Sequence, residues 1–223
     1  MKLNLTQIKD ITLGAARVEE RADGFNFFRF TAEQEELYKN RREEFYIKSF
    51  CTSGVRLRFR TDSRSLFLKT EVFRASTRNY FSFDLFINGQ RVDSLNNFSN
   101  VELPKDYTQH PFPLGEFSKT FSLAEGEKEV EIYFPWSVKA IVKEIALDDG
   151  AGIIPVKPEK KLLCFGDSIT HGYDALYPSN KYASQLADTL GAEEYNKAIG
   201  AEVFCSELAQ TKEDFVPDLI TVA

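Results

Sequence analysis

The sequence predicts an all-β sandwich of jelly-roll type followed by part of an α/β domain, and three observations support this fold class. Apolar and polar residues alternate with period two from about residue 52 to residue 147, which is typical of antiparallel strands that bury one face. After residue 147 the composition changes abruptly to acidic, glycine and proline residues. Beyond that break, apolar runs alternate with stretches of helical spacing. The 223 residues suffice for one large or two small domains.

Short strands joined by turns fill the predicted sandwich. In residues 55–60 the apolar side chains fall on one face and the arginines on the other, so this run predicts a half-buried strand. Asn88-Gly89 tolerates the positive φ of a type I′ turn and predicts a hairpin between its flanking apolar runs. Further strands are predicted at residues 65–73, 80–87, 117–121, 128–134 and 140–147.

One stretch ahead of these strands has a different pattern. Thr31 and Gln34 have the spacing of a capping box, which predicts a helical turn. The charged residues 35–44 follow, and runs of mixed sign usually face water. We therefore expect a solvated excursion between strands here rather than a binding feature.

The composition break predicts a boundary between two domains. Residues 1–149 form the predicted sandwich domain, residues 150–159 a linker, and residues 160–223 the α/β part. Within the α/β part we predict a strand at 161–165, a helix at 181–190 ended by Gly191, a strand near Tyr195, a helix at about 203–210 and a buried parallel strand at 219–223.

The composition argues against several function classes. Lys and Arg number 28 against 34 Asp and Glu, so the net charge of -6 disfavours nucleic acid as a partner. No window approaches the ~20 apolar residues that cross a bilayer, and the N-terminus lacks the apolar core of a secretion signal, so we expect a cytoplasmic protein without membrane contact. Three scattered cysteines and two histidines do not suggest zinc, and we expect no metal.

Residues 165–172, Phe-Gly-Asp-Ser-Ile-Thr-His-Gly, carry the most chemical information. They begin at the carboxyl end of a predicted strand and lead into a helix, where open α/β sheets bind their ligands. A serine in such a turn lies among unpaired N–H groups at the positive end of the helix dipole. Ser168 is therefore a candidate nucleophile whose own N–H can help to bind an oxyanion. The alternative is that Asp167 or Ser168 only caps the helix.

The sequence resembles the SGNH, or GDSL-like, hydrolase superfamily at several points. Residues 166–170, Gly-Asp-Ser-Ile-Thr, resemble its first block, and residues 196–201, Asn-Lys-Ala-Ile-Gly-Ala, resemble its second. Residues 217–222 resemble the strand that leads into its third block. Residues 52–59 resemble the N-terminal sandwich of some two-domain carbohydrate esterases in this superfamily.

This resemblance implies a flavodoxin-like hydrolase domain, only its first half present, and a serine ester hydrolase that removes acetyl groups from a carbohydrate. Ser168 would be the nucleophile, the N–H groups of Ser168 and Gly200 would form the oxyanion hole, and no cofactor is required. The superfamily's third-block Asn and its His in an Asp-x-x-His block are missing here, so we expect a truncated, inactive chain. A non-catalytic carbohydrate-binding or scaffolding module is the alternative, and an acyltransferase or lipase of the same superfamily is a third possibility.

Residues around Ser168 have weaker assignments. Asp167 is expected to cap the helix and support the loop. His171, three residues after Ser168, is a poor candidate for the missing base, and we expect it to line the substrate pocket or to lie at the surface. Three aromatic residues are candidates for stacking on a sugar ring, although aromatic side chains more often belong to a core: Tyr173, Tyr177 and Trp136.

The predicted α/β sheet has an open edge. Flavodoxin-like sheets are commonly ordered 2-1-3-4-5, so the three strands present are expected to pair as 2-1-3 and to leave residues 219–223 unpaired on one side. An apolar edge strand recruits another chain. We therefore expect a homo-oligomer formed through this edge, with a small-molecule or oligosaccharide ester as the substrate.

Overall fold

The computed structural model describes residues 1–99, 102–203 and 205–223. The strands are β1 (Thr12–Leu13), β2 (Arg17–Arg21), β3 (Gly24–Phe28), β4 (Arg56–Thr61), β5 (Ser65–Arg74), β6 (Ser82–Ile87), β7 (Gln90–Asn96), β8 (Gly115–Ser122), β9 (Lys128–Tyr133), β10 (Val138–Leu147), β11 (Ile154–Pro155), β12 (Lys160–Phe165), β13 (Ala192–Asn196) and β14 (Leu219–Val222). The helices are α1 (Leu5–Ile11), α2 (Ala32–Arg41), α3 (Glu43–Ser49), α4 (Ser168–His171), α5 (Tyr182–Leu190) and α6 (Ser206–Gln210), with a 3-10 turn at Pro178–Asn180. Within the described residues, no helix is long and apolar enough to span a membrane.

Two antiparallel sheets form the sandwich. The first has the strand order β1-β4-β9-β6-β7, with β11 paired to β4, and the second has the order β2-β3-β10-β5-β8. In β5 every second residue from Leu66 to Val72 is buried, because side chains alternate across a strand. Inward-facing residues of both sheets, such as Phe83 and Ile145, belong to one apolar cluster. The predicted sandwich is confirmed.

Turn chemistry also agrees with the sequence. Asn88 and Gly89 both have positive φ, at 50° and 78°, and they join β6 to β7 as a hairpin. Residues 150–159, expected to be a linker, contain β11. Because Ile154 pairs with Arg60 of β4, this segment adds a short strand to the first sheet.

The charged stretch after Thr31 is helical and buries one face, which corrects the expectation of a solvated excursion. The capping box is confirmed, since the Thr31 hydroxyl accepts from Gln34 N–H and the Gln34 amide oxygen accepts from Thr31 N–H. Gln34 and Tyr38 are fully buried. Gln34 Nε2 donates to Glu213 at 2.6 Å, and the Tyr38 hydroxyl donates to Glu202 at 2.8 Å. Helix α2 therefore packs against residues 160–223, which we call the α/β segment.

The α/β segment contains a parallel sheet of order β13-β12-β14, which confirms the predicted 2-1-3 pairing. Helix α5 ends at Gly191, whose φ of 61° suits glycine better than other residues. Its inner face buries Ala183 and Ala187. Strand β14 is the sheet edge, and Ile220 and Val222 are 60% and 59% exposed.

Charged side chains are buried where the sandwich meets the α/β segment. Lys181 Nζ lies 2.9 Å from Glu194 Oε1, and these side chains are 1% and 0% exposed. Arg56 of β4 reaches the same carboxylate at 3.4 Å and also contacts Asp188. Burial alone would raise the pKa of Glu194, but the charges of Lys181 and Arg56 lower it to about 2. The ionised carboxylate therefore stabilises this junction.

Replacement of Glu194 tests this junction. Between pH 4.5 and 2 the unfolded chain binds a proton at this carboxyl and the folded chain does not, so the free energy of unfolding falls as the pH drops. We expect Glu194→Gln to be less stable at pH 7 and to lose about 1–2 kcal/mol less than the wild type between pH 5 and pH 3, measured by urea unfolding. Glu127→Gln, at an exposed turn, is the control. Parallel pH profiles for wild type and Glu194→Gln would contradict the assignment.

The exposed edge generates a second prediction. We propose that β14 pairs with β14 of a second copy, because within its sheet it pairs on one side only, with β12, and exposes the apolar residues Ile220 and Val222. Ile220→Lys should shift the population toward monomer by about tenfold in the dissociation constant, measured by light scattering against concentration. Val216→Lys, an exposed apolar position outside the strands, should leave the equilibrium unchanged. A monodisperse monomeric wild type at all concentrations would reject the proposal.

Candidate active site

The corner between β12 and α4 presents Ser168. The side chain of Asp167 accepts a hydrogen bond from Ile169 N–H at 2.9 Å and caps α4, so Ser168 becomes the first helical residue. Gly166 precedes the cap, and a Cβ there would lie 2.3 Å from Thr170 Oγ1. Ser168 is half-buried. Asp167 and Gly166 thus define the local conformation of this strand-to-helix turn.

Residues 196–200, which we call the second-block loop, run beside the end of β12. Lys197 N–H donates to Cys164 O at 2.8 Å, and Ile199 N–H donates to Gly166 O at 3.3 Å. The Asn196 side chain donates to Thr170 O at 2.7 Å, which ties the loop to α4 as well. Thr170 and Asn196 are 26 residues apart in the sequence, and their contact makes the first and second sequence blocks adjacent in space.

His171 connects the second-block loop to the sandwich and does not reach the Ser168 hydroxyl. Its Nδ1 accepts from Gly200 N–H at 3.1 Å, so Nε2 carries the proton and donates to Trp136 O at 3.0 Å. The side chain is fully buried, and burial, assisted by the charge of Arg29, holds its pKa well below 6.5. His171 is therefore a neutral structural residue. The expectation that it lines a substrate pocket or lies at the surface is corrected.

The same contact bears on the oxyanion hole. Because Gly200 N–H donates to His171, this donor is occupied in the structure and does not point freely toward an acyl oxygen. The glycine is needed for another reason, since a Cβ at this position would lie 2.3 Å from the Tyr173 ring. The backbone N–H of Ser168 remains as the candidate donor at the start of α4.

The three aromatic candidates belong to a cluster between the sandwich and the α/β segment. Trp136 is 1% exposed and its indole N–H donates to Ala175 O at 2.7 Å, so it is a core residue whose ring has no open face for a sugar, which corrects its candidacy. Tyr173 packs against Trp136 with ring centroids 4.9 Å apart. Tyr177 is half-buried, and the guanidinium of Arg91 lies 3.9 Å from its ring centroid.

A cavity of about 460 Å³ opens beside the corner, at the carboxyl end of the parallel strands. It is lined by Phe165, Gly166, Asp167, Lys197, Glu202, Val203, Cys205, Leu208, Val222 and Ala223. Sequence reasoning did not identify Lys197 or Glu202, although both lie within or directly after the second block. Lys197 is not a base for Ser168, because its ammonium donates to Arg29 O, Gln34 Oε1 and the Glu213 carboxylate. Among the described residues, no cluster of His, Cys, Asp and Glu could hold a metal ion.

The tautomer and charge of His171 can be measured directly. We expect nitrogen chemical shifts of a neutral imidazole with the proton on Nε2, and no titration of this ring between pH 8 and pH 5, because burial keeps its pKa well below 6.5. Nuclear magnetic resonance of histidine-labelled protein gives this result, and His110 in the same spectra is the internal comparison. A midpoint near 6.5, or a proton on Nδ1, would show that the Gly200 contact is wrong.

Solved structures match the chain, whereas no protein-family profile and no curated protein does. Salicylyl-acyltransferase SsfX3 from a tetracycline biosynthetic pathway is 24% identical, with a TM-score of 0.67 over 86% of this chain and 52% of its own. A protein described as a GDSL-like lipase from Bacteroides ovatus is 17% identical, with a TM-score of 0.70 over 100% and 63%. A family two carbohydrate esterase from Clostridium thermocellum, in complex with cellohexaose, is 12% identical, with a TM-score of 0.57 over 95% and 64%.

The present chain spans between 52% and 64% of the length of these three proteins. Because the sequence identities are below 25%, the structural similarity establishes the fold alone, and the activity has to be argued from the site. Both the sandwich and the α/β segment fall within the matched region of the lipase-like structure, which covers the whole chain. The chain therefore has the fold that the GDSL-like lipase and the family two carbohydrate esterase share.

Proposed function

We propose that Ser168 is the nucleophile of an SGNH-type ester hydrolase whose substrate is an acetylated carbohydrate. The observation that carries this proposal is the placement of Ser168 at a capped helix start, half-buried, next to Asp167, which lines a cavity of about 460 Å³ that Ser168 itself does not line. The carbohydrate substrate is supported by the family two carbohydrate esterase among the structures with this fold.

The reaction begins with attack of Ser168 Oγ on the acyl carbon. The new Oγ–C bond forms while the hydroxyl proton passes to a base, and the carbonyl oxygen becomes an oxyanion held by Ser168 N–H. The C–O bond to the leaving alcohol then breaks as the alcohol takes a proton, and water cleaves the acyl-enzyme. Gly200 N–H would join the oxyanion hole only after His171 Nδ1 releases it.

No general base for Ser168 is found among the described residues. His171 is buried with both ring nitrogens bonded, and His110 packs on Phe112 in a separate loop of the sandwich. A serine without a base loses orders of magnitude in rate. We therefore propose that these 223 residues by themselves turn over esters slowly, with hydroxide from solvent taking the proton.

Two other functions remain as alternatives. A non-catalytic carbohydrate-binding or scaffolding module is favoured by the same lack of a base, and it would bind sugars without any reaction at Ser168. An acyltransferase is favoured by the fold of the salicylyl-acyltransferase, and it would pass the acyl group to an acceptor other than water. A panel of acyl donors with and without an added alcohol separates transfer from hydrolysis.

Covalent labelling tests the nucleophile. With a fluorophosphonate, Ser168 Oγ forms a bond to phosphorus, the P–F bond breaks, and the proton and fluoride leave to solvent. We expect one label per chain at Ser168, with a rate that rises about tenfold per pH unit between pH 7 and pH 9 because hydroxide acts as the base. Mass spectrometry of the digested protein locates the label.

The controls decide between the candidate functions. Ser168→Ala should abolish both labelling and chromogenic acetyl-ester turnover, whereas Ser206→Ala, at an exposed helix start, should keep both. If the wild type is not labelled but binds oligosaccharides, the hydrolase proposal fails and the binding-module alternative stands. If the label is found elsewhere, the assignment of Ser168 is wrong.

A further inference from the structure

The sandwich places a buried guanidinium against the second-block loop. Arg29 follows β3 and is 1% exposed. Its Nη1 donates to Asn196 O at 2.8 Å and to Ala198 O at 3.1 Å. Its remaining nitrogens donate to Cys51 O at 2.6 Å and Lys48 O at 3.2 Å. One side chain therefore joins two segments of the sandwich to the loop beside Ser168.

A second cation of the sandwich contacts the same loop. Lys48, in α3, is 3% exposed, and its ammonium donates to Gly200 O at 2.8 Å. The loop returns a contact, because Lys197 Nζ donates to Arg29 O at 2.6 Å and to Gln34 Oε1 at 3.0 Å. The connection between sandwich and loop is thus made in both directions.

These contacts satisfy polar groups that have no regular partners. Residues 197–200 follow the end of β13, so no strand or helix pairs their carbonyl oxygens, yet they are all buried. A buried carbonyl without a hydrogen bond costs about 1–3 kcal/mol. Arg29 and Lys48 provide hydrogen bonds to three carbonyls of the second-block loop, at residues 196, 198 and 200. The course of the loop next to Ser168 therefore depends on cations from the other half of the molecule.

We propose that Arg29 and Lys48 are positioning residues that hold the second-block loop against the Ser168 corner, so that the sandwich is an integral part of the catalytic unit. The expected effect on the reactivity of Ser168 rests on the proposed function. The expected effect on the position of the loop rests only on the contacts described above. A sandwich that served only as a separable sugar-binding module would have no need to bury two cations against this loop.

Arginine and lysine are not interchangeable at these sites. Arg29 uses a planar fork to reach four carbonyl oxygens, and a lysine has a single ammonium that cannot span them. Lys48 makes one loop contact from a flexible stem, which a longer arginine can replace. We call the hydrogen bonds from Arg29 and Lys48 to the second-block loop the clamp. Arg29→Lys and Lys48→Met therefore break the clamp, and Lys48→Arg should keep part of it.

Hydrogen exchange measures the structural consequence. We expect the amides of residues 197–201 to exchange at least tenfold faster in Lys48→Met and Arg29→Lys than in the wild type, with peptides from β5 and β9 unchanged. Lys128→Met is the matched control, because Lys128 is also 3% exposed and donates to two loop carbonyls, at Ala124 and Gly126. It should speed exchange near residues 124–126 only. Unchanged exchange of residues 197–201 in both clamp variants would overturn the proposal.

Labelling kinetics measure the catalytic consequence. With the fluorophosphonate, Lys48→Met should lower the maximal labelling rate of Ser168 about tenfold and leave the half-saturating concentration unchanged, while Lys48→Arg recovers at least half of the lost rate and Lys128→Met labels like the wild type. Faster loop exchange with wild-type labelling would overturn positioning while leaving Ser168 as the nucleophile. An unlabelled wild type would reject the proposed function, and hydrogen exchange would still decide whether the clamp exists.

Discussion

The structure depends on one constraint, the burial of a peptide segment whose carbonyl oxygens have no strand or helix to pair them. The second-block loop leaves the end of β13 and is buried, so its carbonyls must find donors elsewhere. Those donors are Arg29 and Lys48 from the sandwich, while His171 accepts from the amide of Gly200. The geometry at Ser168 therefore requires both halves of the molecule.

Buried charged side chains also oppose separation of the sandwich from the α/β segment. The Lys181–Glu194 pair and Arg56 are shielded from water, and such groups are favourable only while every partner is present. Separating the two halves would expose Lys181 and Glu194 on one side and Arg56 and Arg29 on the other. We infer that the two halves fold and unfold as one cooperative unit, although their sheets are distinct in hydrogen bonding.

Local patterns in the sequence predicted the local structure, and contacts between distant segments explain what they missed. Period-two alternation located β5, the Thr31 and Gln34 spacing located a helix start, and Gly191 marked a helix end. The burial of α2 was missed because its partners lie more than 160 residues away. The burial of His171 was missed for the same reason, since its hydrogen bond with Gly200 N–H is invisible to a motif that assigns each residue alone. Tertiary contacts thus override residue type at the site.

A structure of the protein labelled at Ser168 with a phosphonate tests the central claim most directly. The phosphonyl oxygen stands in for the acyl oxyanion. We expect this oxygen within about 3 Å of Ser168 N, with the Arg29 contacts to the second-block loop intact. A phosphonyl oxygen that points away from the start of α4, or a loop that has left Arg29 while Ser168 is fully labelled, would contradict it.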